Sequence, residues 1–266
     1  MIKVIAEIGW NHLGDMNLAK DMIFAAASSG ASYAKFQSWS VSRLKDGPWD
    51  KDGRRDIYNK AELSEENHIE LLESCAQHNI RFMSSVFSVH DAVMLKNLGV
   101  ASVKIPSFES RNKELIEFCG FNFEEVYMST GTSNLSEIET SIDIMPKNIF
   151  TLLHCVSTYP CNYENANIPR MIELKKFGYT TGYSDHIVGV ESAKIAIEFG
   201  AEVIEKHFTI DKDLPGRDNK FAILPEEMLN LTDYIKHREQ MLLDHGNGYQ
   251  ESERESRNIY TGRFNG

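Results

Sequence analysis

YTTGYSDHIVGVESAKIAIEFGAEVIEKHFT, residues 179–209, decides the fold. Two strand-like segments flank a run, 189–200, whose apolar residues recur at helical spacing. That order and length suit one strand, one helix and the next parallel strand. His186 and His207 close the two strand segments. Neighbouring strands of a parallel sheet lie about 4.8 Å apart, so two histidines at the same strand ends can share one metal ion. The plainer alternative is that each imidazole merely ends a strand with its hydrogen bonds satisfied.

Strand and helix signals alternate along the whole chain. Strands are expected at 3–8, 32–37, 81–85, 102–105, 125–129, 149–154, 179–184 and 203–208. Helices are expected at 17–29, 65–78, 90–98, 112–119, 135–144, 168–177 and 224–243. Gly30 and Gly99 stop two of them. Eight βα units without a two-residue hairpin turn predict a parallel sheet closed into one (β/α)8 TIM barrel. The barrel is expected over 1–245, with a C-terminal tail at 246–266.

The chain has 266 residues, enough for a large core, and a net charge of −11. That acidity argues against a nucleic-acid partner, because phosphate backbones demand basic surface. Cys75, Cys119, Cys155 and Cys161 have neither zinc-knuckle nor disulfide-scaffold spacing, which predicts a reduced, cytoplasmic protein. The opening MIKVIAEIGW carries Glu7 and is too short for a signal peptide. No apolar run approaches a membrane span, so no membrane partner is expected.

Strand side chains alternate between faces. If His207 points into the barrel, so do Glu205 and Val203. The same choice elsewhere collects Ile5 and Glu7, Tyr33, Lys35 and Gln37, Lys104, Ser129, Leu152 and His154, and Ser184 and His186. The lower layers of this set read as apolar and the upper layer as polar, with charges of both signs. A barrel needing only stability would fill the upper layer with aliphatic residues, since isolated buried charges cost several kcal/mol each. A structural ion pair, such as Lys104 with Glu205, is the alternative for any one residue.

Lys35 and Lys104, with hydroxyls from Ser107, Ser129 and Ser184, form a receptor for a phosphate ester or carboxylate. Ser84 and Ser85 offer another hydroxyl, and parity leaves open which faces inward. Imidazoles beside carboxylates suit a divalent ion such as Mn²⁺, Co²⁺ or Zn²⁺. Glu109 and Asp185 are candidate general bases or partners that orient the ligands. Asp185 reads equally well as a turn carboxylate. Residues 38–63 are long, polar and aperiodic, the signature of a lid or a solvated insertion.

Seven motifs carry a resemblance: AEIGWNHLGD at 6–15, KFQ at 35–37, KIPSFE at 104–109, STGT at 129–132, LLHCVSTYP at 152–160, GYSDH at 182–186 and EKHFT at 205–209. Together they resemble the sialic acid synthase family, which condenses phosphoenolpyruvate with an N-acetylated aldose to give nonulosonic acids. The resemblance implies His186 and His207 as metal ligands, with Mn²⁺ the expected ion and Mg²⁺ or Co²⁺ as alternatives. It implies that Lys35, Gln37, Lys104, Ser107, Ser129, Ser184 and Tyr159 hold phosphoenolpyruvate, and that Glu7 and Glu109 lie near the reacting atoms. A homodimer is compatible with it.

The chain departs from the family pattern in three ways. The Gly-Pro-Asp-His after the last strand reads Gly216-Arg217-Asp218-Asn219, which adds a cation where the sugar would sit. Ser85 stands for a threonine and keeps its hydroxyl. The family's antifreeze-like cap, with its sugar-binding arginine, is not in the sequence. The expectation is therefore that Arg217, with Asp218, serves the acceptor and that the barrel works without an added cap. Two alternatives stay open: a 3-deoxy-ulosonate synthase acting on another, phosphorylated aldose, and a non-catalytic barrel that binds phosphoenolpyruvate or sugar.

Overall fold

A computed structural model describes residues 2–143 and 145–264. In chain order the elements are β1 (Lys3–Gly9), α1 (Met16–Ser28), β2 (Tyr33–Ser38), α2 (Arg54–Ala61), α3 (Glu65–Gln77), β3 (Arg81–Val86), α4 (Val89–Asn97), β4 (Ser102–Ile105), α5 (Lys113–Asn122), β5 (Glu125–Ser129), α6 (Leu135–Ile142), β6 (Phe150–Cys155), α7 (Arg170–Lys175), β7 (Thr180–Asp185), α8 (Glu191–Glu198), β8 (Val203–His207), α9 (Pro225–Met241) and α10 (Arg254–Tyr260). The strands are all parallel and close in sequence order, β8 pairing with β1. This is the TIM barrel that the alternation of elements predicts. The helix expected at 135–144 ends on Ile144, which lies outside the described residues.

Local chemistry starts the helices where the chain needs them. The Asp15 carboxylate accepts from the amides of Asn17 and Leu18 at the head of α1. Ser64 and Asn67 close a reciprocal box at α3, and Asn134 and Glu137 do the same at α6. Gly30 and Gly200 follow α1 and α8 at φ 81° and 86°, a conformation that costs other residues about 1–2 kcal/mol.

Two elements escape the sequence reading. Within 38–63, α2 is a short, strongly polar helix with Ile57, Tyr58 and Ala61 as its only apolar residues, and rings dock it. Tyr58 meets Trp10 at 5.2 Å and Trp39 at 5.4 Å between centroids, and Trp39 also meets Phe87 at 6.1 Å. The expected tail holds α10, and the described residues from 241 onward are exposed.

The core has two parts. A large outer shell lies between strands and helices, and a small inner plug consists of Ile5, Tyr33, Met83, Tyr127, Leu153 and Val203. The plug corrects the parity of β6. Leu153 points inward, whereas Leu152 and His154 face the helices. His154 Nε2 meets the Ala166 carbonyl at 2.8 Å and its ring stacks on Tyr183. The run LLHC buries an apolar side chain in either phase, so alternation alone does not choose. The carbonyl waiting outside does.

The lower end of the barrel is also not apolar throughout, contrary to expectation. Glu125 accepts bonds from Lys3 (2.6 Å), Ser102 (2.7 Å) and the Tyr33 hydroxyl (2.5 Å), and the Tyr33 and Tyr127 hydroxyls are 3.0 Å apart. The tyrosine rings fill the plug while their hydroxyls reach this polar floor.

Candidate active site

The upper strand ends surround a cavity of about 740 Å³. Inward residues just above the plug supply its floor: Glu7 from β1, Lys35 and Gln37 from β2, Ser85 from β3, Lys104 from β4, Ser129 from β5, Cys155 from β6, Ser184 from β7, and Glu205 and His207 from β8. Ser107, Tyr159, His186, Arg217 and Asp218 line it from the loops that follow. Gly182 makes the strand spacing possible. A Cβ there would stand 2.4 Å from the Val203 carbonyl oxygen and 2.6 Å from a Leu153 methyl.

The floor is a balanced lattice of four buried charges. Lys104 Nζ forks onto both Glu205 oxygens at 2.7 and 2.8 Å, and Ser184 Oγ donates to Oε1 at 2.7 Å. Lys35 Nζ lies 2.5 Å from Glu7 Oε2, 3.6 Å from Glu205 Oε2 and 2.9 Å from Ser85 Oγ. Gln37 donates to the other Glu7 oxygen at 2.5 Å. Ser85 is therefore the inward serine of its pair; Ser84 faces outward to Ser38 at 2.6 Å.

The four charges titrate apart. Burial resists ionisation of Glu205, but Lys104 and Lys35 outweigh it and hold the carboxyl well below its ordinary range. Burial and the neighbouring Glu205 lift Glu7 above that range, against the pull of Lys35. Lys35 stays above the usual lysine value because Glu205 and Glu7 overcome its burial, whereas burial brings Lys104 below it. Ser129 Oγ is buried with no hydrogen-bond partner, a donor turned toward the cavity and unused by the chain.

In the same cavity, the His186 and His207 rings stand 5.4 Å apart between centroids. Tyr159 covers them at 4.1 and 6.1 Å. His186 Nδ1 meets the Val156 carbonyl at 2.9 Å, which leaves Nε2 as its free nitrogen. Burial opposes the charged form of His186, yet Cys155 beside it prevails and raises its pKa. In return His186 overcomes the effect of burial on Cys155 and brings the thiol down to about 7. Burial, with His186 and Lys35 near, keeps His207 well below the ordinary histidine value and hence neutral. Its Nδ1 is buried without a hydrogen bond, 3.5 Å from Asp218 Oδ2. Asp218 also accepts from Trp10 Nε1 at 2.8 Å, and burial pushes its carboxyl up to about 6.

Glu109 is the expected site residue that does not line this cavity. It sits on a 3₁₀ turn, Ser107–Glu109, where its carboxylate accepts from Asn112 Nδ2 at 2.9 Å. Asp185 also turns away; its carboxylate takes the Ile187 amide, Ser192 and Lys206. The sequence reading missed Trp10, Tyr58, Cys155 and Phe221, all of which line the cavity; Arg54 lines it too. Cys155 was hidden by the β6 parity, and Tyr58 by the aperiodic arm. Trp39 anchors that arm against Trp10, whereas Trp49, also in the arm, packs against Arg54.

The donor set fits a divalent ion in part. His186 and His207 present two buried imidazoles, one with an orphaned nitrogen. Among the described residues no three His, Cys, Asp or Glu side chains are arranged to hold a metal. Two imidazoles would leave the remaining positions of such an ion to substrate and water.

Comparison with known proteins adds a family. The model of the NeuB family matches residues 22–247. An N,N'-diacetyllegionaminic acid synthase of Legionella pneumophila is 37% identical over 258 residues, covering 90% of this chain and 72% of the relative. The synthase of the same name from Campylobacter jejuni is 35% identical, covering 96% of this chain and 82% of its own. Among solved structures, an N-acetylneuraminic acid (sialic acid) synthetase from Leptospira borgpetersenii, in complex with citrate, superposes with a TM-score of 0.86. It is 36% identical, with 98% of this chain and 92% of that chain covered.

Proposed function

The chain belongs to the NeuB family, and from that premise we propose that it condenses phosphoenolpyruvate with an aldose to form a nonulosonic acid and phosphate. The aldose is an N-acetylated hexosamine or a related sugar. One observation carries the reading: two lysines, a row of hydroxyls and two imidazoles line a single cavity. Cations and hydroxyls suit the phosphate and carboxylate of phosphoenolpyruvate, and the imidazoles suit a reactive aldehyde.

The bond changes balance as follows. C3 of phosphoenolpyruvate attacks the aldehyde carbon, whose oxygen takes a proton. Water adds at C2 and loses one proton; as the C2–O bond to phosphate breaks, the new C2 hydroxyl loses its second proton, leaving the C2 keto group and hydrogen phosphate. Lys35 and Lys104, with Ser85, Ser107, Ser129 and Ser184, orient the phosphoenolpyruvate. Glu7, a buried carboxyl with a raised pKa, is suited to hold and return a proton at the reacting end. Tyr159 keeps water from the imidazoles. Arg217, Arg54 and Tyr58 at the mouth serve the acceptor. A divalent ion, Mn²⁺ in this reading, would be held by His186 and His207 and would supply a Lewis acid for the aldehyde oxygen. Four free, buried thiols suit a cytoplasmic setting, and among the described residues no helix is long and apolar enough to cross a membrane.

The test is phosphate release from phosphoenolpyruvate over a panel of aldoses, with and without Mn²⁺. Turnover with an N-acetylated hexosamine is expected, and it should fall at least about 100-fold in His186→Ala and His207→Ala, as loss of a metal ligand demands. No release with any aldose would overturn the synthase reading. Undiminished turnover after exhaustive chelation would overturn the metal.

A further inference from the structure

Asp185 and Lys206 stand one residue before His186 and His207, and the β7–β8 register pairs them directly across the two strands. Alternation turns both away from the cavity, into the layer beneath α8. There Lys206 Nζ lies 3.0 Å from Asp185 Oδ2, with the two side chains 2% and 0% exposed. Lys206 also donates to the Ile187 carbonyl. Asp185 accepts the Ile187 amide at 2.9 Å and the Ser192 hydroxyl at 2.6 Å.

This network grips His186 from both sides. The β7–β8 ladder ends at the Asp185–Lys206 pair, so His186 lies just past the last register position that could hold it to β8. The ion pair continues the connection with side chains. Lys206, on the strand that carries His207, binds the residue before His186 and the residue after it, while Ser192 ties the same carboxylate to the start of α8. A buried ion pair is a costly way to join two strands, and well-packed apolar residues do so at least as well. What apolar residues lack is direction. Hydrogen bonds of fixed geometry to Asp185 and Ile187 set the path of the backbone at His186 relative to His207.

We propose that the Lys206–Asp185 pair is a positioning device that holds His186 and His207 at the spacing a shared divalent ion requires. The proposal rests on the reading above in which those histidines hold such an ion.

The experiment measures Mn²⁺ affinity, by the electron paramagnetic resonance of free Mn²⁺, in the full chain. The main variant is the double substitution Asp185→Asn, Lys206→Met, which removes both charges and so leaves neither alone in the interior. His186→Ala is the control, and phosphoenolpyruvate affinity in metal-free buffer reports on the rest of the cavity. The double variant should lose about tenfold to a hundredfold in Mn²⁺ affinity, the usual effect of removing groups that orient metal ligands. Its phosphoenolpyruvate affinity should stay within about twofold of the parent, as expected when no direct contact is lost. Unchanged Mn²⁺ affinity overturns the proposal. If the double variant does not fold, Ser192→Ala keeps both charges and removes one bond to Asp185. It should weaken Mn²⁺ binding about threefold, and no change there overturns the proposal equally. Failure of the parent to bind Mn²⁺, or binding that survives in His186→Ala, defeats the metal reading and this inference with it. Binding that depends on His186 yet is indifferent to the pair defeats this inference alone.

Discussion

Lys104 is asked to do two things with one ammonium group. It forks onto Glu205, whose side chain is only 7% exposed, and it faces the cavity where the anionic substrate is proposed to bind. From the sequence these were rival readings, a structural ion pair or a ligand receptor; the geometry makes them compatible. Lys104→Met should therefore cost about 3–5 kcal/mol of stability, because Glu205 is left as a poorly compensated buried charge, and it should also weaken phosphoenolpyruvate. Adding Glu205→Gln should restore much of the stability but not the affinity. Denaturant unfolding and calorimetry on both variants separate the two effects. If affinity returns in the double variant, the lysine only neutralises Glu205. At this scale most residues expected at the site line the cavity. Glu109 does not, since a 3₁₀ turn redirects a carboxylate that strand parity could not follow past Ile105.

Among the elements, β7 depends on a residue with no side chain. Gly182 faces the barrel interior, where an added methyl would meet a backbone carbonyl at 2.4 Å. A carbonyl in the β7–β8 ladder has no rotamer to escape into, so Gly182→Ala should cost at least about 1–3 kcal/mol as an overpacked core. The loss should appear in the denaturation midpoint. An unchanged midpoint would show that the two strands can part without penalty. Strand and helix order was legible because each element buries one face and repeats at its own period. The arm at 38–63 was not, because α2 is held by Tyr58 against Trp10 and Trp39. A helix this short and polar offers too few apolar residues for a period to be read.

For the molecule as a whole, the polar floor of the barrel links strands far apart in the chain and should govern its response to acid. Burial alone would raise the Glu125 carboxyl, but bonds from Lys3, Ser102 and Tyr33 outweigh it and bring its pKa down to about 2, from an ordinary 4.5. A carboxyl depressed by folding adds stability that is fully present above its unfolded value and vanishes as pH falls through its folded value. Glu125→Gln should thus be less stable than the parent at pH 7, and the gap should close between about pH 4.5 and 2. Melting temperatures across that range check this, and a gap independent of pH would refute the role of the charge. The eightfold alternation, the inward phase of most strands and the motif set were determined by the sequence by itself, since each is written in residues near one another. Closure of the barrel decided the rest. It set Trp10 on Asp218, 208 residues away, and Lys104 on Glu205, 101 residues away, turned His154 outward to a carbonyl, and laid Lys206 against Asp185. Such partners are chosen by which groups the folded backbone leaves unpaired, and no local period records that choice.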